Sequence, residues 1–250
     1  MKTEEREQRI ISILESRGEM SIKSLSGALD ISPSTLRKQL ANMQERGLVI
    51  RTYGGVLSVN RVPDESFENK LRKSIPEKRL IAERARALLQ NGCTVSLGSG
   101  TTVYALCGVM SDLEDCTVYT NSMQAADFLA GSPTLEVHVC GGIIRSRTGT
   151  IIGNETTKYF SNRRVDYAFV GCDTIDSAGV VYSDNLAVAS AERAVLINAA
   201  HKYILCDSTK FGRPSIARIA TLDECDGLIT CESARAVAEV FRRLTDVIYA

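Results

Sequence analysis

The 250-residue sequence predicts an α/β protein in two parts, a small helical module closed by a β-hairpin and a larger domain on a mainly parallel sheet. Three observations carry this. Residues 32–55 read as a capped helix followed by a glycine stop and a tight basic hairpin. From Glu77 onward, helical stretches alternate with short apolar runs, the pattern of a parallel sheet covered by helices. Between them, residues 60–76 (NRVPDESFENKLRKSIP) are polar, hold two prolines and show no apolar period, so they read as a linker.

In order along the chain, Ile10, Ile11, Ile13 and Leu14 cluster within a first helix over Glu4–Ser16. Ser21 can cap a second helix with Ile22, Leu25 and Leu29 facing inward, and Asp30-Ile31-Ser32 is the turn into a third. Ser32 caps that third helix at Pro33, where a missing N–H costs nothing, and Leu36, Leu40 and Met43 share one face. Gly47 stops it, Leu48-Val49-Ile50 starts a strand, and Gly54-Gly55 turns the chain back. Three helices plus a two-stranded wing make a winged helix-turn-helix over residues 1–59. Between Ser32 and Arg61, Arg37, Lys38, Arg46, Arg51 and Arg61 stand against Glu45 alone. A small bundle with solvated basic residues shares that charge pattern; cap, stop and hairpin together favour a DNA major-groove reader.

The second domain, residues 77–250, has helical stretches at Glu77–Gln90, Thr102–Met110, Met123–Ala130 and Ala187–Ala200. Its strand-like runs are CTVSLG, CTVYT, LEVHVC, DYAFVGC, KYILCD and DGLIT. Lys+Arg 30 balance Asp+Glu 30, so affinity for nucleic acid must come from a local patch. No apolar run is long enough to span a bilayer and the charged start is no signal peptide, so a cytoplasmic protein with no membrane partner is expected. The eight cysteines lack a C-x-x-C pair and only His138 and His201 accompany them, so no metal is expected and the thiols read as buried and reduced.

Ligands of such sheets bind beyond the C-terminal strand ends. Gly98, Ser99, Gly100, Thr101 and Thr102 form the first such loop, with glycine backbone and hydroxyls suited to an anion. Thr120-Asn121-Ser122, Cys140-Gly141-Gly142, Gly171-Cys172-Asp173 and Asp207-Ser208-Thr209-Lys210 end later strands. Singly, each loop fits a structural turn as well as a ligand contact. Together they supply the groups that a small phosphorylated polyol needs.

These blocks resemble the DeoR family of bacterial transcriptional regulators from about Glu4 to the C-terminus. The resemblance runs through Ser32-x-x-Thr35-Leu36-Arg37, Gly47-Leu48-Val49-Ile50-Arg51-x-x-Gly54-Gly55, Glu77-Lys78, Ser99-Gly100-Thr101-Thr102 and Asp207-Ser208-x-Lys210-Phe211-Gly212. It implies a regulator of carbohydrate genes, a repressor before an activator, which binds a double-stranded DNA operator, forms a homo-oligomer (dimer or tetramer) and answers to a phosphorylated sugar. No cofactor is expected. Arg37-Lys38-Gln39 stands where the family usually has Arg-Arg-Asp, Gly98 where an aspartate is frequent, and Ala187-Val188 where paired glutamates are usual.

The second domain also resembles the ribose-5-phosphate isomerase fold, which makes a sugar-phosphate isomerase with an appended DNA-binding module the alternative. Thr174 stands where that enzyme has its acid/base glutamate, and Tyr182-Ser183-Asp184-Asn185 replaces its glycine-rich lysine loop. A threonine hydroxyl is no base near neutral pH without an activating partner, so a sensor rather than an enzyme is expected. DNA contacts are expected from Ser32, Ser34, Thr35, Arg37, Lys38, Gln39, Arg51, Tyr53, Gly54 and Gly55. Effector contacts are expected from Gly98–Thr102, Asn121, Gly141, Gly142, Asp173 and Lys210, with phosphate at Ser99–Thr102.

Overall fold

The computed structural model describes residues 3–17, 20–45, 48–51, 55–58, 65–213 and 215–250. The chain divides into two compact units, Met1–Asp64 with Pro214–Ala217, and Glu65–Arg213 with Arg218–Ala250.

In the first unit, α1 (Thr3–Arg17), α2 (Ile22–Leu29) and α3 (Pro33–Glu45) precede strands β1 (Val49–Arg51) and β2 (Val56–Ser58). The two expected caps form: Ser21 accepts the Ser24 N–H at 3.1 Å and Ser32 accepts the Thr35 N–H at 3.2 Å. Asp30 takes a left-handed conformation that closes α2. Ile10, Leu14, Leu25, Leu36, Leu40, Met43 and Val56 are buried together as one core. The wing is antiparallel, pairing Val49 with Ser58 and Arg51 with Val56. Val56 also exchanges two 2.9 Å hydrogen bonds with Met20, which ties β2 to the chain between α1 and α2. Gly47, Tyr53 and Gly54 lie outside the described residues.

The second unit begins earlier than the sequence pattern suggests. Residues 65–76 are not a linker: they fold as α4 (Phe67–Leu71) and the start of α5 (Ile75–Arg86). Ser66 caps α4, Phe67 is buried edge-on against Tyr104, and Pro76 sits in the first turn of α5, where its ring is tolerated. A five-residue helix is too short for an apolar period to show. Residues 60–64 lie outside the described residues.

There follow β3 (Thr94–Leu97), α6 (Thr101–Cys107), β4 (Cys116–Thr120), α7 (Met123–Leu129), β5 (Leu135–Val139), β6 (Ile143–Ile144), β7 (Ile151–Ile152), α8 (Asn154–Ser161) and β8 (Val165–Gly171). Then come β9 (Thr174–Ile175), β10 (Val180–Ser183), α9 (Leu186–Ile197), β11 (Ala199–Cys206), β12 (Ala217–Thr221), β13 (Gly227–Thr230) and β14 (Asp246–Tyr249). Seven strands form one sheet in the order β14-β13-β11-β8-β3-β4-β5, every pair parallel. Val95, Leu97, Val118, Phe169, Leu205 and Ile229 pack in its core against Ile81, Val103 and Leu106 from α5 and α6. Two smaller sheets, β12-β10-β9 and β6-β7, flank it. All eight cysteines are free and seven are buried.

Strand order fixes where a ligand can sit. The chain enters the sheet at β3, extends one way through β4 and β5, then crosses back to β8 on the other side of β3. The crevice beyond the C-terminal ends of β3 and β8 is therefore the topological switch point.

Candidate functional site

In the first half of α3, after the Ser32 cap, the exposed residues are Pro33, Ser34, Thr35, Arg37 and Lys38. Ser32 Oγ lies 2.9 Å from Ser34 Oγ and 2.8 Å from Thr35 Oγ1, so the hydroxyls form a small exposed network. Gln39 does not share that face. It is buried (8% exposed), and Arg6 donates to its Oε1 at 3.4 Å. The reason is spacing: position 39 lies three residues after Leu36 and so follows the inward stripe. Gly55 is also explained by packing, because a Cβ there would collide with the Met20 carbonyl. The Arg51 side chain, like Tyr53 and Gly54, lies outside the described residues.

At the switch point two of the expected loops, those of Ser99 and Asn121, meet a side chain that the sequence pattern did not single out. Glu192, on α9, is buried at 2% exposed. Its Oε1 accepts from Ser99 N at 2.9 Å, Ser99 Oγ at 2.6 Å and Asn121 Nδ2 at 3.4 Å. Its Oε2 and the Oδ1 of Asn121 are buried with no hydrogen-bond partner among the described residues. Burial raises the Glu192 carboxyl from 4.5 to about 7, against the hydrogen bonds from Ser99 and Asn121 that hold it down. Gly98 is glycine because Oε2 fills the space where its Cβ would stand. The carboxylate that Gly98 lacks is thus supplied from α9. The sequence signal is a lone acid on a buried helical stripe with Ala189 and Val195. Gly100 has φ 109, which a side chain rarely adopts, and Thr101 and Thr102 open α6, both buried.

Asp173, after β8, is the second centre. Lys70 Nζ on α4 lies 2.6 Å from its Oδ1, while Ser183 Oγ (3.1 Å) and Asp184 N (2.9 Å) donate to Oδ2. Burial acts to raise the Asp173 carboxyl, but the Lys70 ammonium, the Asp184 N–H and Lys210 outweigh it and hold it below its ordinary value. Lys78 on α5 is buried and donates to the carbonyls of Lys70 at 2.5 Å and Lys73 at 2.7 Å. Burial pushes its ammonium down to about 8, with Asp207 opposing and Lys210 and Lys70 adding. Lys210 sits in a short turn after β11, capped by Asp207 and anchored where Ser208 binds the Glu77 carboxylate. Lys70 is not among the expected site residues, because the segment before Glu77 carries no apolar period; Lys78 falls in the expected helix from Glu77 but not among the expected effector contacts.

Gly141 and Gly142 follow the edge strand β5. Thr156 Oγ1 donates to the Gly141 carbonyl at 2.9 Å, and Gly142 packs on Thr156 and Ile152. Thr174 is buried and its Oγ1 accepts the Arg213 N–H at 3.1 Å. Among the described residues no group of three or more His, Cys, Asp or Glu side chains could hold a metal ion, and no helix is long and apolar enough to cross a membrane.

Comparison with known proteins covers both units. Residues 73–232 match the model of the DeoR C terminal sensor domain, and residues 6–62 match that of the DeoR-like helix-turn-helix domain. The chain is 29% identical to the glycerol-3-phosphate regulon repressor of Haemophilus influenzae, over 92% of this chain and 90% of that one. It is 30% identical to a putative aga operon transcriptional repressor of Escherichia coli O157:H7 (94% and 88%), and 29% to the transcriptional repressor GlcR of Bacillus subtilis (92% and 89%). Among solved structures, ribose 5-phosphate isomerase from Plasmodium falciparum aligns over 54% of this chain and 52% of its own, at 16% identity and a TM-score of 0.41. A likeness of that size carries no argument about activity.

Proposed function

The chain belongs to the DeoR family of transcriptional regulators, and on that premise we propose that it represses a carbohydrate-use operon and that a phosphorylated sugar, bound at the switch point of the second unit, sets its grip on DNA. The observation that carries the reading is the pair of buried acceptors without a hydrogen-bond partner among the described residues, Glu192 Oε2 and Asn121 Oδ1, with Asp173 near enough to act on Glu192 and itself in the field of Lys70 and Lys210. Acceptors without donors cost free energy, and the hydroxyls of a polyol supply donors. Its phosphate is met by the loop Gly98–Thr102, whose first-turn N–H groups have no intrahelical acceptor, and by Lys210. Asp173 lines the same crevice.

On the DNA side, Thr35, Arg37 and Lys38 face base edges, while Ser34, Arg51 and Tyr53 meet phosphates. The chain acts as a homo-oligomer in the cytoplasm, so that two α3 helices read paired half-sites. The test is thermal unfolding against a panel of sugar phosphates and their unphosphorylated sugars, with DNA binding measured beside it. A phosphate ester that raises the midpoint and changes DNA affinity supports the reading; a panel that shifts neither removes it.

A second reading, sugar-phosphate isomerisation, is favoured by one observation: a buried carboxyl at about 7 is suited to proton transfer. Turnover of ribose 5-phosphate that is lost in both Glu192→Gln and Asp173→Ala would establish it. The sensor reading expects no turnover.

A further inference from the structure

Short α4 is the first element of the second unit and follows directly on residues 60–64, which lead from the DNA-binding unit. Five residues cannot hold a helix alone. Besides the 3.0 Å hydrogen bond from the Phe67 N–H to the Arg147 carbonyl, three attachments among the described residues lead toward the candidate site. Phe67 packs edge-on, 5.4 Å between ring centroids, against Tyr104 of α6, whose N–H bonds the Gly100 carbonyl. Lys78 donates to the carbonyls of Lys70 and Lys73, which fixes the backbone at the third attachment and just after it. That third attachment is the 2.6 Å pair between Lys70 Nζ and Asp173 Oδ1.

Asp173 is held by Lys70 and lies in the field of Lys210. An arriving phosphate dianion carries more charge than one carboxylate and presents three acceptor oxygens. It therefore competes with Asp173 for the Lys70 ammonium, which sits on a flexible stem. We propose that Lys70 is a ligand of the effector phosphate, and that its transfer from Asp173 to the phosphate shifts α4 and so carries effector occupancy to the linker of the DNA-binding unit.

This rests on the sugar-phosphate reading above and adds what that reading lacks, a contact made in only one of two arrangements. A ligand shifts an equilibrium only through such a difference in affinity. The Lys70–Asp173 pair holds the free arrangement, and the Lys70–phosphate contact holds the bound one.

The experiment uses the full chain, a DNA fragment selected by the protein from a random-sequence pool, and four probes: glycerol 3-phosphate, ribose 5-phosphate, glucose 6-phosphate and fructose 1-phosphate. In wild type, the probe that raises the thermal midpoint also changes DNA affinity. Lys70→Met should weaken that probe about tenfold, the scale of one charge-assisted hydrogen bond, and abolish its effect on DNA. Lys70→Arg keeps the charge and should retain both responses in part. Asp173→Asn removes the carboxylate that pairs with Lys70 without ligand, so it should move DNA affinity in the direction that the probe moves wild type. Lys70→Met with wild-type probe affinity and DNA response would overturn the inference while leaving the sugar-phosphate reading intact. An absence of any probe effect on wild type would overturn both.

Discussion

Glu192 shows how one side chain can join stability to function. Its carboxyl titrates at about 7 in the folded chain against an ordinary 4.5, so between those values the folded state binds a proton that the unfolded state has lost. Stability therefore falls as pH rises from about 4.5 through 7, by about 3 kcal/mol from this group alone, and stays lower above that window. Urea unfolding at pH 5 and pH 8 should show that loss in wild type and not in Glu192→Gln, whose side chain carries no proton to lose. Equal losses in the two proteins would remove Glu192 as the source. Ser99, Asn121 and Asp173 were legible in the sequence because strand-end loops announce themselves by Gly, Asn and Asp. The role of Glu192 was not. Helical spacing places it on a buried stripe, but only the missing Cβ of Gly98, on another element, makes room for its carboxylate.

At the scale of the element, α3 and α4 differ in how much their own residues declare. α3 carries a hydroxyl cap, proline in its first turn and three leucine-type residues at helical spacing, so its existence and start follow from local chemistry. α4 has five residues and is held by what it touches, so the prolines around it read as a linker. The β9-β10 pair and the short β6-β7 pair were missed for the same reason: two to four residues carry no period. Within α3 the inward and outward faces give opposite expectations for neighbouring residues. Arg37 is exposed, and Arg37→Ala should cost operator discrimination about 1–3 kcal/mol if it makes a bidentate guanine contact. Gln39 is buried against Arg6, so Gln39→Ala should lower stability and leave base preference unchanged. A competition gel shift against single-base operator variants, run beside thermal unfolding, separates the two. Retained discrimination in Arg37→Ala, or altered base preference in Gln39→Ala, would reverse these assignments.

At the scale of the whole molecule, the core of the first unit shares no buried residue with the core on one face of the parallel sheet. One gathers Ile10, Leu14, Leu25, Leu36, Leu40, Met43 and Val56; the other lies between the parallel sheet and α5, α6 and α7. The alternation of helices and apolar runs foretold this division, since the period changes once along the chain. Its exact border was hidden by the tertiary docking of α4. Separate cores imply separate unfolding, because cooperativity spreads through shared packing. By size, a unit of about 60 residues should unfold with roughly 40 kcal/mol and one of about 180 residues with roughly 130 kcal/mol near 60 °C. Differential scanning calorimetry should then resolve a small and a large transition. A sugar phosphate at about 100 times its dissociation constant adds about 2.7 kcal/mol to the unit that binds it, a rise of about 5–10 °C for that size. The rise should fall on the large transition, and selected operator DNA should raise the small one. A single transition that both ligands move equally would show that the two cores unfold as one, and the communication assigned to α4 would then run through the whole fold instead.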